Sequence, residues 1–151
     1  MNSSWPKWLV ASIAKHFHDN LLPNKMYLEG DERGPEEQLD IFELRLTGPD
    51  VENRIKNQFI LTIEVNLLVK VIKSDDIYKL QKFKGIGLSC FTNIPAFKFG
   101  QEPEDDQSEF GCILVSNQIE VTDFGDISVP VDIQHATIEA TYTLECEESN
   151  G

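Results

Sequence analysis

Positive charge is scarce in this chain. Thirteen lysines and arginines stand against 26 aspartates and glutamates, giving a formal net charge of −13 over 151 residues. A nucleic-acid grip needs Lys and Arg to displace counterions from phosphates, so this balance argues against that class of function. Excess negative charge serves solubility in many proteins, and on a channel wall it would also keep DNA from adhering. Cysteine is sparse as well: Cys90, Cys112 and Cys146 are far apart, form no CxxC and, being three, cannot all pair within one chain. All three sit among apolar residues of predicted elements, which points to buried free thiols in a reducing compartment.

Other absences narrow the field further. No stretch approaches the roughly 20 apolar residues of a membrane span. After Met1 the chain reads Asn-Ser-Ser-Trp-Pro-Lys-Trp, with no apolar run behind it, so no secretory signal is read. The expectation is a soluble protein made inside the cell. There is no Gly-x-Ser-x-Gly, no P-loop and no dinucleotide fingerprint, and Lys84-Gly85-Ile86-Gly87 lacks a third glycine and lies inside a helical pattern. No internal repeat is present. Of three histidines, His16 and His18 are two apart on a predicted helix and face different ways, while His135 opens the polar face of a strand. All three are expected to be solvated, without a shared metal.

What is present is a long alternating segment over residues 59–71. Phe59, Leu61, Ile63, Val65, Leu67, Val69 and Val71 fall on one side, and Ile60, Thr62, Glu64, Asn66, Leu68 and Lys70 on the other. Period-2 alternation predicts a strand with one face on a core, roughly 40 Å long at about 3.3 Å per residue. Such a strand outruns an ordinary domain, so one end is expected to project or to reach a neighbouring subunit. Its mixed face could be half covered by a helix or a partner chain.

The remaining elements arrange themselves around that strand. Ser3 or Ser4 can cap a helix over 6–20, with Pro6 in its first turn and Trp5, Leu9, Ile13, Phe17 and Leu21 as its apolar stripe. Trp5 and Trp8 at its entrance either pack on their own domain, the favoured placement, or dock on a neighbour. Residues 26–28 form a short candidate strand, and 29–40 a polar loop. Residues 40–47 alternate and end at the turn signal Gly48-Pro49-Asp50, with polar 51–57 leading into the long strand as its antiparallel partner. Ser74-Asp75-Asp76 can start a second helix, running to about Phe91 with Ile77, Leu80, Lys84, Leu88 and Phe91 at helical spacing. Asn93-Ile94-Pro95 breaks it, and 96–99 is extended. Residues 112–121 make a strand candidate, 123–130 are turn-rich, and 135–146 alternate cleanly, with a polar tail at 147–151. The fold class expected is α+β: a mixed, mainly antiparallel sheet with a long strand pair and two packed helices, forming one domain over 1–151.

Candidate chemistry is thin. The loop carrying Glu102, Glu104, Asp105, Asp106 and Glu109 lacks the ligand spacing and glycine of a calcium loop, so it is expected to be solvated or partner-facing. Glu64 and Glu139 are the carboxylates nearest the middle of strong strands, and exposure or an interface salt bridge is expected of them. No constellation supports catalysis, and no cofactor or metal is implied.

Four features taken together resemble a known class. They are the helix opening Ser4-Trp5-Pro6-Lys7-Trp8, the Phe42-Glu43-Leu44-Arg45 strand with Gly48-Pro49, the Glu64-Val65-Asn66 strand, and the acidic loop between Phe99-Gly100 and Phe110-Gly111-Cys112. The chain is similar in element order to neck and tail-completion proteins of tailed bacteriophages, and most resembles tail terminators. The resemblance implies a non-enzymatic subunit made in the host cytoplasm and residing in the virion, at the neck or tail. It further implies a homo-oligomeric ring of about six subunits that caps the tail tube, meets the head-side neck protein and lets DNA pass without binding it specifically. Such proteins have no catalytic or binding signature to transfer. On this reading Trp5, Trp8, Glu64, Lys70, Glu102, Glu104, Asp105 and Asp106 are candidates for facing a neighbour or the lumen. The alternatives are a head–tail stopper or a tail-tube or baseplate component, and, from another class, a small monomeric ligand-binding domain or enzyme with a pocket between helix and sheet. A monomeric accessory binding protein is a further rival.

Overall fold

The structure, a computed structural model, describes residues 1–29, 40–99, 108–128 and 132–148. Two helices, α1 (Trp5–Leu21) and α2 (Lys79–Ser89), pack on one face of a seven-stranded sheet. The strands are β1 (Lys25–Leu28), β2 (Ile41–Ile55), β3 (Gln58–Ile72), β4 (Ile94–Phe97), β5 (Glu109–Val115), β6 (Glu120–Ser128) and β7 (Asp132–Glu147). Their order is β1-β2-β3-β7-β5-β4, with β6 also on β7; only the β1–β2 pair is parallel. This is the α+β architecture expected from the pattern of periods. The sheet curls, since α1 touches strands at both ends of this order, β1 and β2 at one and β4 at the other.

The two best alternating segments form the centre. β3 and β7 pair along their whole length, from Gln58↔Glu147 to Ile72↔Ile133. Leu61, Ile63, Val65, Leu67, Val69 and Val71 meet Ala136, Ile138, Ala140, Tyr142, Leu144 and Cys146 on the inner face, and all are buried. The stripe Trp5, Leu9, Ile13, Phe17 and Leu21 of α1 is buried against them. Leu22 then turns extended ahead of Pro23, as a pre-proline residue prefers, and Asn24 donates to the freed carbonyl of Leu21. At the other end the serine cap expected from the sequence is not made. The Ser4 side chain makes no cap hydrogen bond, and Asn2 instead accepts from the Ser4 N–H through its side chain.

Three corrections concern where strands stop. Gly48-Pro49-Asp50 does not end β2: the strand runs on to Ile55, with a register shift between Thr47 and Asp50 and Gly48 at φ +118°. The bulge takes up the extra residue, and Pro49 is tolerated because β2 is an edge there. The reversal comes instead at Lys56-Asn57, where Asn57 adopts φ 66°, so 51–55 is strand rather than loop. The candidate strand over 112–121 is two strands. β5 and β6 lie end to end along the same side of β7, interrupted by a step-out at 116–119, and β6 continues through the supposedly turn-rich 123–128. Finally, β7 persists to Glu147, and the Glu148 N–H donates to the Asn57 carbonyl at 2.7 Å, so the start of the polar tail is tied to the hairpin turn.

The second helix is shorter than its pattern implies. It starts at Lys79, because the Ser74-Asp75-Asp76 turn spends its side chains upstream: Ser74 accepts from the Asp76 N–H and Asp76 from the Tyr78 N–H. Ile77 and Leu88 are exposed, and the face on the core carries Leu80, Phe83, Ile86 and Gly87. Gly87 is what lets α2 approach: a Cβ there would lie 3.0 Å from Ile138 Cδ1 and 3.1 Å from Leu67 Cδ2. Cys90 and Cys146 are buried, and burial raises both thiols, Cys146 to about 11. Cys112 is exposed, on the outer face of β5 opposite Pro95, contrary to the buried state expected of it. His16 is not a free surface residue either: it is half-buried, with its Nε2 2.8 Å from the Cys90 carbonyl, linking α1 to the end of α2.

Candidate interaction surface

The sheet face turned away from the helices is built in cross-strand rows. One row reads Arg45, Asn66, Glu139, Glu120 across β2, β3, β7 and β6. The next places Thr47 beside Glu64 and Thr141. These rows apart from Arg45, with the step-out residues Ser116, Asn117 and Gln118, line an open groove of about 570 Å³. The step-out is held to β7 by Ser116, whose N–H donates to the Thr141 carbonyl at 2.8 Å, and folded on itself by the Ser116 hydroxyl donating to the Gln118 carbonyl. The sequence singled out Glu64 and Glu139 separately; register makes them diagonal neighbours in this groove, both exposed.

Polar satisfaction in the groove is uneven. Asn66 Nδ2 donates to Glu139 Oε1 at 2.6 Å, while its Oδ1 is buried with no hydrogen-bond partner among the described residues. Arg45 turns aside to Glu43, donating from Nε to Oε1 at 2.9 Å. Glu120 directly opposes Glu139, and among the described residues it makes no ion pair. Glu120 and the 116–118 step-out were not singled out by sequence reasoning, and Asn66 was noted only as part of the Glu64-Val65-Asn66 strand. The available signal was a lone amide in the middle of a strong strand, and its significance depends on a pairing register that one sequence does not reveal. Among the described residues no three His, Cys, Asp or Glu side chains gather closely enough to hold a metal ion.

The other half of the outer face is buried on β2 and partly buried on β3 and β7, and it is exposed on β6. Ile41, Lys70, His135 and Phe124 form one row and Glu43, Leu68, Thr137 and Thr122 the next. Ile41, Glu43, Lys70 and Thr137 are all buried, and Lys70, a candidate for facing a neighbour or the lumen, therefore lies in a covered position. His135 has its pKa lowered, first by burial and then by the charge of Lys70.

The other candidates fall in two places. Trp5 and Trp8 are buried in the chain's own core. Trp5 packs on Phe59 with ring centroids 5.7 Å apart, and Trp8 meets Phe110 edge-on at 5.3 Å. Glu102, Glu104, Asp105 and Asp106 lie outside the described residues, as do most of the two polar loops at 29–40 and 100–109.

The margins of the sheet differ in kind. β4 carries Pro95 and is guarded by α1. The Ser12 hydroxyl accepts from the Phe97 N–H at 2.9 Å, and Trp8 Nε1 donates to the Phe99 carbonyl at 2.8 Å. At the other margin β1 pairs β2 only over Ile41, Phe42, Glu43 and Leu44, so beyond Leu44 no described strand covers the outer side of β2. β6 pairs only β7, leaving its far side open among the described residues.

No known protein family matches the chain, and no curated protein matches it as a relative. No helix among the described residues is long and apolar enough to cross a membrane.

Proposed function

We propose that this chain is a non-enzymatic structural subunit of a tailed-phage neck or tail ring, most like a tail terminator. The observation that carries the reading is the β2–β3 hairpin, whose β2 strand overhangs its outer partner among the described residues, β1, by some ten residues' length, leaving a row of backbone donors and acceptors open. Such an edge is a template for a neighbouring chain. A subunit that uses one surface to hold a different surface of the next builds a closed ring when the rotation closes. A net charge of −13 suits a conduit through which DNA passes without adhering.

Position in the particle separates the members of this class. Gold-labelled antibody against the chain, applied to purified virions, is expected to mark the junction between tail tube and head-side connector. Label along the tube or at the baseplate would assign it to those parts, and unlabelled virions would remove the structural role. A second reading, a small ligand-binding domain, draws on the outer-face groove with its Asn66 Oδ1, buried and unpartnered among the described residues. On that reading Asn66→Ala abolishes ligand binding; on the ring reading it leaves virion incorporation intact.

A further inference from the structure

We infer that the open edge of β2 in one copy adds to the open edge of β6 in the next, so that adjacent sheets join head to tail. This rests on the ring reading and names the two surfaces it would use. The choice compares the margins; the end strand β1 offers only the four residues Lys25–Leu28. β4 is closed to an added strand by Pro95 and by the Ser12 and Trp8 hydrogen bonds from α1. Along β2 the register shifts at Thr47/Asp50 and again at Asn53/Ile55, leaving 50–53 as the regular open stretch, with Arg54 and Ile55 beyond the second shift. β6 is open on its far side among the described residues, and it lies on the opposite side of the β3–β7 pair.

The side chains of the two edges suit each other. On β2, Val51 is 44% and Ile55 67% exposed; on β6, Val121 is 41% and Phe124 49% exposed. Each edge thus offers apolar area that no described element of its own chain covers, and joining the edges would bury it. Charge complements this. Glu120 faces Glu139 and has no cation partner among the described residues. Arg54 reaches Glu52 only at 3.7 Å with both side chains well exposed, and among the described residues Lys56 at the hairpin turn makes no ion pair. The occupant of β6 is therefore a second copy's hairpin, which brings cations to a carboxylate pair that lacks them. Because the two edges are different surfaces, the contact is heterologous and propagates around a ring.

The test uses two preparations of the full chain in a Cys112→Ser background, which removes the exposed thiol and leaves the two buried ones. One carries Glu52→Cys and the other Thr122→Cys, both exposed positions on the outer face. A short bismaleimide is expected to give covalent dimers when the two are mixed and none from either alone, and a chain carrying both cysteines is expected to give a ladder. Phe124→Asp is expected to weaken self-association about tenfold or more without lowering the melting temperature. Dimers from the Glu52→Cys preparation alone would mean a two-fold β2–β2 contact and would overturn the inference. Large assemblies by light scattering with no cross-link in any mixture would overturn it while leaving the ring reading in place. Monomers throughout, with no cross-link, would overturn it and leave the ring reading to the virion label.

Discussion

Glu120 on β6 and Glu139 on β7 are direct cross-strand partners, two carboxylates side by side on one face of one sheet. Like charges directly opposite each other in an antiparallel pair destabilise it, by roughly 0.2–1 kcal/mol. Both are exposed, so salt screens the repulsion. Glu120→Gln is expected to raise the urea midpoint of the isolated subunit, more at low ionic strength than at high. The same change removes the charge that Arg54 or Lys56 of a neighbour would meet, so it is expected to weaken assembly. A variant stabler alone yet poorer at assembling is the signature; loss of stability would show that the pair is not repulsive.

The two glycines of α2 make a matched contrast. Gly85 has open space where its Cβ would stand, so Gly85→Ala is expected to stabilise the chain by about 0.8 kcal/mol through helix propensity alone. Gly87→Ala gains the same propensity but drives a methyl against Ile138 and Leu67, both fully buried. Overpacking of this kind costs about 1–3 kcal/mol, so the net change is expected to be destabilising by about 1 kcal/mol. Denaturant midpoints of the two variants should move in opposite directions. Equal shifts would mean that α2 is not seated on Ile138.

His135 sets a slope in the pH dependence of stability. Its pKa is lowered from 6.5 by burial and by Lys70, so below 6.5 the unfolded chain binds this proton more readily than the folded one. Stability therefore falls as pH drops through 6.5 toward the folded value, and is unaffected by this group above 6.5. The depressed carboxyls of Asp19 and Asp76, each held low chiefly by a hydrogen bond from a lysine, act only at pH near and below 3.8, outside that window. His135→Gln is expected to flatten the slope of the unfolding free energy between about pH 7.5 and about pH 5.5. An unchanged slope would place the imidazole in solvent in the folded state.

Much of the fold is legible because strong periodicity and burial coincide. The alternation of β3 and β7 and the stripe of α1 name their own buried faces, and those faces are the ones in the core. The failures have local physical reasons. Gly48-Pro49 reads as a turn, yet on an edge strand a bulge absorbs it and no lost donor matters. Ile77 and Leu88 fit helical spacing, but the seat of α2 is fixed by the close approach at Gly87, which rotates the buried face toward Phe83. The β5–β6 break cannot be seen in the alternation of either segment, since both pair with β7. The candidate surface was legible only in pieces: Glu64 and Glu139 could be picked out one at a time, while their adjacency, and the role of Asn66 between them, come from register.

The most direct test of the central claim is the mass of the purified chain in solution by light scattering, read with negative-stain images of the same sample. The account predicts concentration-dependent growth from the 17.2 kDa subunit to a closed ring of about six copies. A species that stops at a two-fold dimer at every concentration would contradict it.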